Sequence, residues 1–391
     1  MYFVGIDWAD EKHDLVVMDH DGNVCASFQV PHNSEGMQGL KRRLLKISEK
    51  STDFACIIET RNGLMVQFLL ENSFPVYPVN PKQVNSRRKP SGAKTDFLDA
   101  LALANIGRAD LPTLQCLQPL TELVEELRIL TRDQDSLIQD STRLKNRLIA
   151  CLKEYYPVAL KLFSKPYLPV ALAFVKKYPN YAQARKASVK SLESFLIKHH
   201  YGQPHLKARE LREMLQQPQL LAREATERAK SQLMQAIVAQ IEAVEEQIRQ
   251  YDEVIGELFQ RHSDSTIFQS LPAAGKRLGP RLLAEWGDNR SQYHNYAAVQ
   301  SLAGTCPVIE ASGKYHHVKQ RKSCVKAFRR VMHQYAFVTA AHVEWAGEYY
   351  ARKRAEGKRH HEAVRALANV WVRIIYAIWQ KKIGRASCRE R

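Results

Sequence analysis

The order of strands and helices predicted for the first 110 residues restricts the fold of this chain more than any other feature of its sequence. Three short strands come first, and the turn Asp21-Gly22-Asn23 between two of them is a clear hairpin signal. Helices and strands then alternate. The predicted elements are strands Tyr2–Asp7, Asp14–Asp19 and Val24–Val30, a helix Glu35–Lys46, a strand Phe54–Ile58, a helix Leu64–Glu71, a strand Pro75–Val79 and a helix from Thr95 to Ile106.

Three antiparallel strands followed by an α-β-α-β-α alternation are the order of an α/β ribonuclease H-like (RuvC-like) domain, in which helices cover both faces of a mixed sheet. The sequence therefore predicts such a domain over residues 1–110. Residues 111–265 are predicted to form a helical and coiled-coil region. Residues 266–382 are predicted to form a third, C-terminal domain.

Two long heptad patterns dominate the helical region. The first places leucines at alternating spacings of four and three between Leu123 and Leu148, with polar Gln134 and Ser141 at the two remaining seam positions. The second, Leu233 to Leu258, has eight apolar seam residues at spacings typical of a coiled coil. These two helices are expected to pair, within one chain or between two.

The C-terminal domain is predicted to be small and all-α. Its start, from Leu271 to Ala284, indicates a short helix, a glycine turn and a second helix, which resembles a helix-hairpin-helix whose turn amides hold a phosphate. Two further helices are expected over about Val325–Glu344 and Glu362–Gln380. Residues 383–391 resemble the translation of a common sequencing adapter, so they are left out of the fold prediction.

The positive charge of the chain is concentrated toward its C-terminus. The chain has 58 Lys and Arg against 41 Asp and Glu, a formal net charge of +17. Residues 271–382 contain 20 basic and 7 acidic residues, whereas residues 1–110 contain 13 and 14. Aromatic residues lie among the basic ones, a pattern typical of a groove for a polyanion. A nucleic acid is the expected partner, and a solvated basic face is the plainer alternative.

Composition disfavours several other classes of protein. The longest apolar stretch, Val370–Trp379, contains Arg373 and is far shorter than the ~20 residues of a membrane-spanning helix. The start of the chain has no basic region followed by a small-residue cleavage site, so a cytoplasmic protein without a membrane partner is expected. Seven scattered cysteines without a C-x-x-C pair favour reduced thiols over disulfides or a zinc site.

Four acidic residues are predicted to converge at one edge of the sheet. Asp7 ends the first strand and Glu59 follows the fourth, and these strands are neighbours in a ribonuclease H-like sheet. Asp96 and Asp99 are three residues apart and therefore share one face of the last helix. Like charges in a poorly screened site repel one another, and divalent cations relieve that repulsion.

These four carboxylates are the predicted catalytic and metal-binding residues, with Mg²⁺, or Mn²⁺ in its place, as the predicted cofactor. Hard carboxylate oxygens suit both ions, which could clamp a phosphodiester. Taken singly, each acidic residue is more often a solvated surface group. The prediction therefore depends on all four occurring at positions that the fold brings together. Weaker candidates, because they lie beyond the first strand, are Asp10, Glu11 and Asp14.

Several short motifs resemble those of a known family, the insertion-sequence family one-ten transposases and related DNA invertases. The segments that resemble the family's DEDD motif are Gly5-Ile6-Asp7, Ile58-Glu59-Thr60 and Lys94 to Ala100. Those that resemble its linker and C-terminal domain are Lys145 to Leu148, Leu271 to Gly279, Leu302 to Gly304, Pro307 and Ala311 to Lys314. The resemblance spans nearly the whole chain, with the motifs in the family's order.

The resemblance implies a recombinase that cleaves and rejoins double-stranded donor and target DNA, guided by a structured RNA. It also implies a serine nucleophile, here Ser312, and a composite site in which the carboxylates of one subunit meet the serine of another. A homodimer or homotetramer is therefore expected. The sequence departs from the family's pattern at Thr60-Arg61 and at Cys306, and neither departure removes a catalytic atom.

The basic residues after Ser312 are predicted to bind the nucleic-acid backbone. Seven of them fall within 17 positions: Lys314, Lys319, Arg321, Lys322, Lys326, Arg329 and Arg330. Two alternative functions stay open at this point. One is a carboxylate-only Holliday-junction resolvase or nuclease that activates water and needs no serine, and the other is a non-enzymatic nucleic-acid-binding protein.

Overall fold

The computed structural model describes residues 1–80, 84, 95–313 and 315–382, with Tyr315 described by its backbone alone. The chain forms two compact units, residues 1–121 and the chain from Glu122 onward. The first unit is mixed α/β with one sheet, and the second is mostly helical. Three predictions fall outside the described residues: the motif residue Lys94, the basic residue Lys314 and the segment 383–391.

The sheet of the first unit is built around the first strand of the chain. Its strands are β1 (Tyr2–Asp7), β2 (Lys12–Met18), β3 (Val24–Pro31), β4 (Phe54–Ile58) and β5 (Val76–Pro78). They lie in the order β3-β2-β1-β4-β5, with β1 antiparallel to β2 and parallel to β4. All five predicted strands are confirmed, with ends that differ by at most two residues.

Helices cover both faces of this sheet. They are α1 (Ser34–Ile47), α2 (Leu64–Glu71) and α3 (Asp96–Asp110), with short 3-10 turns at Ser51–Asp53 and Leu111–Thr113. Val4 and Ile6 of β1 belong to the hydrophobic cluster under α1 and α2, whereas Phe3 belongs to the cluster under α3. Alternate residues of β1 therefore face opposite sides, as in any strand. Every residue of β4 is buried, because that strand is covered on both faces.

The second unit is held together by two hydrophobic clusters, one spanning residues 148–241 and the other joining Leu127 to residues 255–379. Its helices are α4 (Glu122–Tyr155), α5 (Pro169–Lys177), α6 (Tyr181–Lys186), α7 (Val189–Lys198), α8 (Pro204–Gln216), α9 (Glu224–Arg261), α10 (Ser265–Gln269), α11 (Gly275–Trp286), α12 (Tyr296–Leu302), α13 (Lys326–His342), α14 (Glu344–Ala355) and α15 (His360–Gln380), with 3-10 turns at Pro157–Leu160 and Arg290–Gln292. The predicted domain boundary at residue 265 stays a prediction. Throughout the described ranges, each helix is too short or too polar to cross a membrane.

The two heptad helices pair within one chain, as α4 and α9. They run antiparallel, because Gln134 contacts Asp252 whereas Lys145, further along α4, contacts Glu245, which is earlier in α9. The polar seam residues of α4 are matched by carboxylates of α9: Gln134 donates to Asp252 at 2.7 Å and Ser141 donates to Glu245 at 2.5 Å. Buried polar groups at such positions are stabilised only when they are hydrogen-bonded.

The prediction of an all-α C-terminal domain is wrong. A two-stranded antiparallel hairpin, β6 (Pro307–Ser312) and β7 (Tyr315–Gln320), lies between α12 and α13. Its turn needs Gly313, whose φ of +55° lies in the left-handed region that glycine tolerates. Five of the six residues of β6 are exposed, so the hairpin buries little apolar surface and gives only a weak hydrophobic alternation in the sequence.

The start of this domain also differs from the predicted helix-hairpin-helix. The short first helix is α10, which ends at Gln269, and residues 270–274 form the turn. Gly275 begins α11, which continues unbroken through Gly279 and Pro280. The predicted first helix at Leu271 and the glycine turn after it are therefore wrong.

Candidate active site

Asp7 and Glu59 lie next to each other at one edge of the sheet. The parallel strands β1 and β4 pair Ile6 with Ile58, so the residues that follow these two are neighbours. Phe3 and Ile57 both pack toward α3. Because side chains alternate along a strand, Asp7 and Glu59 face the same side of the sheet as α3.

A glycine brings α3 against β1. A Cβ on Gly5 would lie 1.9 Å from the carbonyl oxygen of Ala100, so only glycine fits between this strand and this helix. A Cβ on Gly107 would lie 3.4 Å from Cδ1 of Phe3. The helix therefore runs antiparallel to β1. Its first turn lies beside the C-terminal end of β1, where Asp7 is.

The first turn of α3 carries the other two predicted carboxylates, Asp96 and Asp99. The helix begins with Thr95 as its N-cap, whose side-chain oxygen accepts the backbone N–H of Leu98 at 3.2 Å. Asp96 is exposed, whereas Asp99 is only 7% exposed. The dipole of the helix stabilises negative charge in its first turn, which partly offsets the repulsion between these groups.

The four carboxylates act on one another electrostatically. Burial, followed in decreasing order by the negative charges of Asp99, Asp96, Glu59 and Asp14, raises the pKa of Asp7 from 3.8 to about 6. The structure thus brings together all four predicted residues. Among the described residues, no group of three or more His, Cys, Asp or Glu side chains already has the geometry of a metal site. The carboxylates are therefore electrostatic neighbours and not a closed set of ligands.

The contact at Gly5 allows a direct test of how the sheet holds α3. We expect Gly5→Ala to destabilise the protein by about 3 kcal/mol or more, because the added methyl group meets backbone atoms that can move only if the helix moves. In the matched control Gly39→Ala, the new Cβ in α1 meets nothing within 4 Å and should stabilise the helix by ~0.5–1 kcal/mol. Calorimetry of the two variants measures the difference, and equal unfolding temperatures would contradict this account of the packing.

Asp14 is a close neighbour of the site, although it was predicted to be a weaker candidate. It lies beyond the first strand, as predicted, but inside β2 it pairs with Asp7 across the antiparallel ladder. Nε2 of Gln29 donates to both of its carboxylate oxygens, at 2.8 and 3.0 Å. The register of the hairpin formed by the first two strands was the signal that could have placed Asp14 opposite Asp7. Asp10 and Glu11 are exposed in the turn between those strands.

A buried histidine, which no pattern in the sequence indicates, fixes the turn that follows Asp7. His13 is fully buried, its Nδ1 accepts the backbone N–H of Ala9 at 3.2 Å, and its Nε2 lies 2.8 Å from Nδ1 of His32. Because Nδ1 accepts, the proton is on Nε2, which donates to His32. Burial and then the nearby His32 lower the pKa of His13, which favours this neutral form.

Ser312 lies in the second unit, at the tip of the β6–β7 hairpin. It is the last residue of β6, pairs with Tyr315 across the hairpin and is exposed. The turn beyond it begins at Gly313. An exposed hydroxyl at a hairpin tip is accessible to a large substrate such as duplex DNA.

The described basic residues after Ser312 divide into three groups of two. Two form ion pairs, Lys319 with Glu310 in the same hairpin and Arg330 with Asp135 of α4. The guanidinium of Arg321 donates to Sγ of Cys306 at 3.3 Å, and Arg329 donates to the carbonyl of Arg321 at 3.4 Å. Lys322 and Lys326 are exposed. Four of the six described basic residues therefore already make contacts within their own unit.

Comparison with known proteins agrees with the family resemblance of the motifs. Residues 4–157 match a family model described as a transposase, and residues 265–351 match that of the IS116/IS110/IS902 transposase family. The mini-circle protein of IS117 from Streptomyces coelicolor is named as a transposase. It is 30% identical to this chain over 376 residues, covering 94% of this chain and 91% of that protein. The chain belongs to the IS116/IS110/IS902 transposase family.

Other members of the family are similar over much of their length. A 44.8 kDa protein of insertion element IS116 from Streptomyces clavuligerus is 28% identical over 389 residues, covering 97% of this chain and 95% of its own. A 42 kDa protein of IS900 from Mycobacterium paratuberculosis is 27% identical over 292 residues, covering 73% of this chain and 71% of its own. The resemblance predicted from the motifs is thereby confirmed, and this transposase is an enzyme of DNA transposition.

Proposed function

We propose that this IS110/IS116-family transposase cleaves and rejoins DNA by means of a Mg²⁺-dependent carboxylate site and the nucleophile Ser312. The convergence of Asp7, Glu59, Asp96 and Asp99 at one edge of the sheet is the observation that carries the proposal. The strand order β3-β2-β1-β4-β5, with helices on both faces, supports a ribonuclease H-like fold for the first unit.

The residues at this edge fit a divalent metal ion. All of the donors are carboxylate oxygens, the ligands that Mg²⁺ and Mn²⁺ prefer. Burial, together with the repulsion among these carboxylates, raises the pKa of Asp7 to about 6, and a bound cation would relieve that repulsion. Asp7, Glu59, Asp96 and Asp99 would hold the ion. When bound, it would supply positive charge to the oxygens of the phosphodiester that is cleaved.

Ser312 supplies the covalent step in this proposal. Its Oγ attacks phosphorus, an Oγ–P bond forms, and the bond from phosphorus to one bridging sugar oxygen breaks. The serine proton passes to a base, and the departing sugar oxygen is protonated to a hydroxyl. The phosphoserine link keeps the phosphodiester energy for rejoining, so no external energy source is needed. The exposed place of Ser312 at the tip of the hairpin supports this role.

The serine and the carboxylates belong to different units of the chain, and we propose that they act together in a homodimer or homotetramer. The resemblance to the family favours this arrangement. We further propose a structured guide RNA and the donor and target DNA as the nucleic-acid partners. The excess of basic residues between 271 and 382 supports binding of such polyanions. Lys314, Lys319, Arg321, Lys322, Lys326, Arg329 and Arg330 remain the proposed contacts.

One experiment separates this function from its alternatives. The purified protein is incubated with duplex DNA from an element end and with RNA from the adjoining non-coding segment, in Mg²⁺ or in excess chelator. We expect strand cleavage and a protein–DNA adduct on a denaturing gel in Mg²⁺, and neither in chelator. Cleavage without any adduct would favour the carboxylate-only nuclease. Binding without cleavage would favour the non-enzymatic alternative, and cleavage undiminished by chelator would contradict the metal site.

A further inference from the structure

A basic cavity lies in the second unit, and its described lining includes none of the four carboxylates and no residue of the β6–β7 hairpin. It has a volume of about 260 Å³ and is lined by side chains of α4, α11 and α13. That volume is several times the ~30 Å³ that one water molecule occupies in the liquid. The cavity is therefore large enough for a group bigger than a single water.

The charges that line this cavity leave an excess of positive charge. Arg132 and Glu285 neutralise each other through two hydrogen bonds of 2.7 and 2.9 Å. Asp135 is shared by two guanidinium groups: it pairs with Arg330, and its Oδ1 lies 3.6 Å from Nη1 of Arg281. One carboxylate balances only one of these two cations. Lys326, another lining residue, adds a further positive charge.

A buried guanidinium in this cavity has a donor without an acceptor. Arg281 is only 5% exposed, and its Nη2 donates to Gln134 at 3.1 Å. Its Nε–H, in contrast, has no hydrogen-bond partner within the part of the chain that the structure describes. An unsatisfied buried donor costs free energy, and a charged donor costs more than a neutral one. Arg281 is thus a buried cation whose hydrogen bonds within the described chain leave one of its donors unsatisfied.

The N-terminus of α13 opens into the same cavity. Lys326 and Ala327, its first two residues, line the cavity. The N-cap Val325 makes no side-chain cap, and the first turn of this 17-residue helix has no acidic residue. The amides and the dipole at such a helix start favour an anion. Arg330 is one turn further along the same helix and lines the cavity beside them.

We propose that this cavity binds one backbone phosphate of the DNA on which the transposase acts. A phosphodiester carries a negative charge and two free oxygens, which suit the surplus positive charge of the lining, the guanidinium of Arg281 and the amides at the start of α13. Among the described residues that line the cavity there is no aromatic ring on which a base could stack, so the lining favours a backbone contact over a free nucleotide. The assignment to DNA rests on the proposed function, whereas the phosphate site itself does not.

The first arm of the test uses inorganic phosphate as the probe. We expect phosphate to raise the unfolding temperature of the full chain more than chloride does at the same ionic strength. Ser136→Glu places a negative charge at the exposed rim of the cavity and should reduce this difference to the general stabilisation that phosphate gives as an excluded salt. Thr142→Glu is the matched control, because Thr142 is exposed on the same helix but does not line the cavity, and it should keep the difference. An equal response in both variants would overturn the site.

The second arm measures the salt dependence of duplex DNA binding. Loss of one phosphate contact should lower the slope of log K against log salt by ~0.9 for B-DNA. We expect this decrease for Ser136→Glu and for Lys326→Gln, relative to Thr142→Glu. Unchanged DNA binding in variants that have lost the phosphate response, or a change confined to RNA, would overturn the assignment to DNA. A further outcome is a protein that forms no covalent adduct and still shows the expected changes in phosphate response and in DNA binding. In that case the proposed function is wrong, and the phosphate site is supported.

Discussion

Ser312→Ala should give a protein that folds and binds DNA but forms no covalent link to a DNA end. Ser312 is exposed at the tip of the β6–β7 hairpin, and exposed substitutions of this kind usually change stability by less than about 0.5 kcal/mol. The loss of Oγ removes the atom that forms the bond to phosphorus, so recombination should fall by at least about a thousandfold. A fall of that size without a change in binding would identify a role in the chemical step.

The matched control for this variant is Ser323→Ala. Ser323 is also exposed and lies just beyond β7, so its substitution makes the same chemical change near the same basic stretch. We expect it to keep the adduct and the recombination. Both variants are compared with the wild type on a nicked DNA substrate, on which the intermediate accumulates, and the products are separated on a denaturing gel. An adduct in Ser312→Ala would transfer the role to another residue.

The edge of the sheet could be predicted because its signals are local. Strands β1 and β4 are continuous apolar segments bounded by polar turns, and parallel strands place their ends together. The proximity of Asp7 and Glu59 follows directly from that rule, because each lies at the end of one of these strands. Asp96 and Asp99 follow from helical spacing, and Thr95 before them is an ordinary N-cap signal.

Other features could not be predicted because they depend on contacts between distant segments. The hairpin around Ser312 is exposed along most of β6, so it carries little of the hydrophobic alternation that identifies a strand. The pair of His13 and His32 depends on how the chain after β3 returns to the start of β2. Asp135, Arg281 and Arg330 come from three helices that are far apart in the sequence, and only their packing brings the charges together.

Replacement of Asp7 by Asn should abolish strand cleavage while it makes the metal-free protein more stable. The carboxylate is needed for the proposed metal site, so we expect cleavage to fall by at least about a thousandfold, with DNA binding within a few-fold of the wild type. Asp96→Asn, Asp99→Asn and Glu59→Gln should lose cleavage in the same way. Asp10→Asn is the matched control, since Asp10 is exposed in the adjoining turn and is not among the charges that raise the pKa of Asp7.

The gain in stability follows from the sign of the pKa shift. The pKa of Asp7 in the folded protein, about 6, lies above its ordinary value of 3.8, so its ionised form is disfavoured by folding. Partial screening by solvent reduces the effect, and we expect Asp7→Asn to stabilise the protein by about 1–2 kcal/mol at neutral pH in chelator. The gain should shrink as the pH falls through 6 and vanish below about 4, where Asp7 is protonated in both the folded and the unfolded states. Added Mg²⁺ should raise the unfolding temperature of the wild type and of Asp10→Asn, but not that of Asp7→Asn. If Asp7→Asn were instead destabilising in chelator at neutral pH, burial and the neighbouring carboxylates would not disfavour the ionised form of Asp7 as this structure indicates.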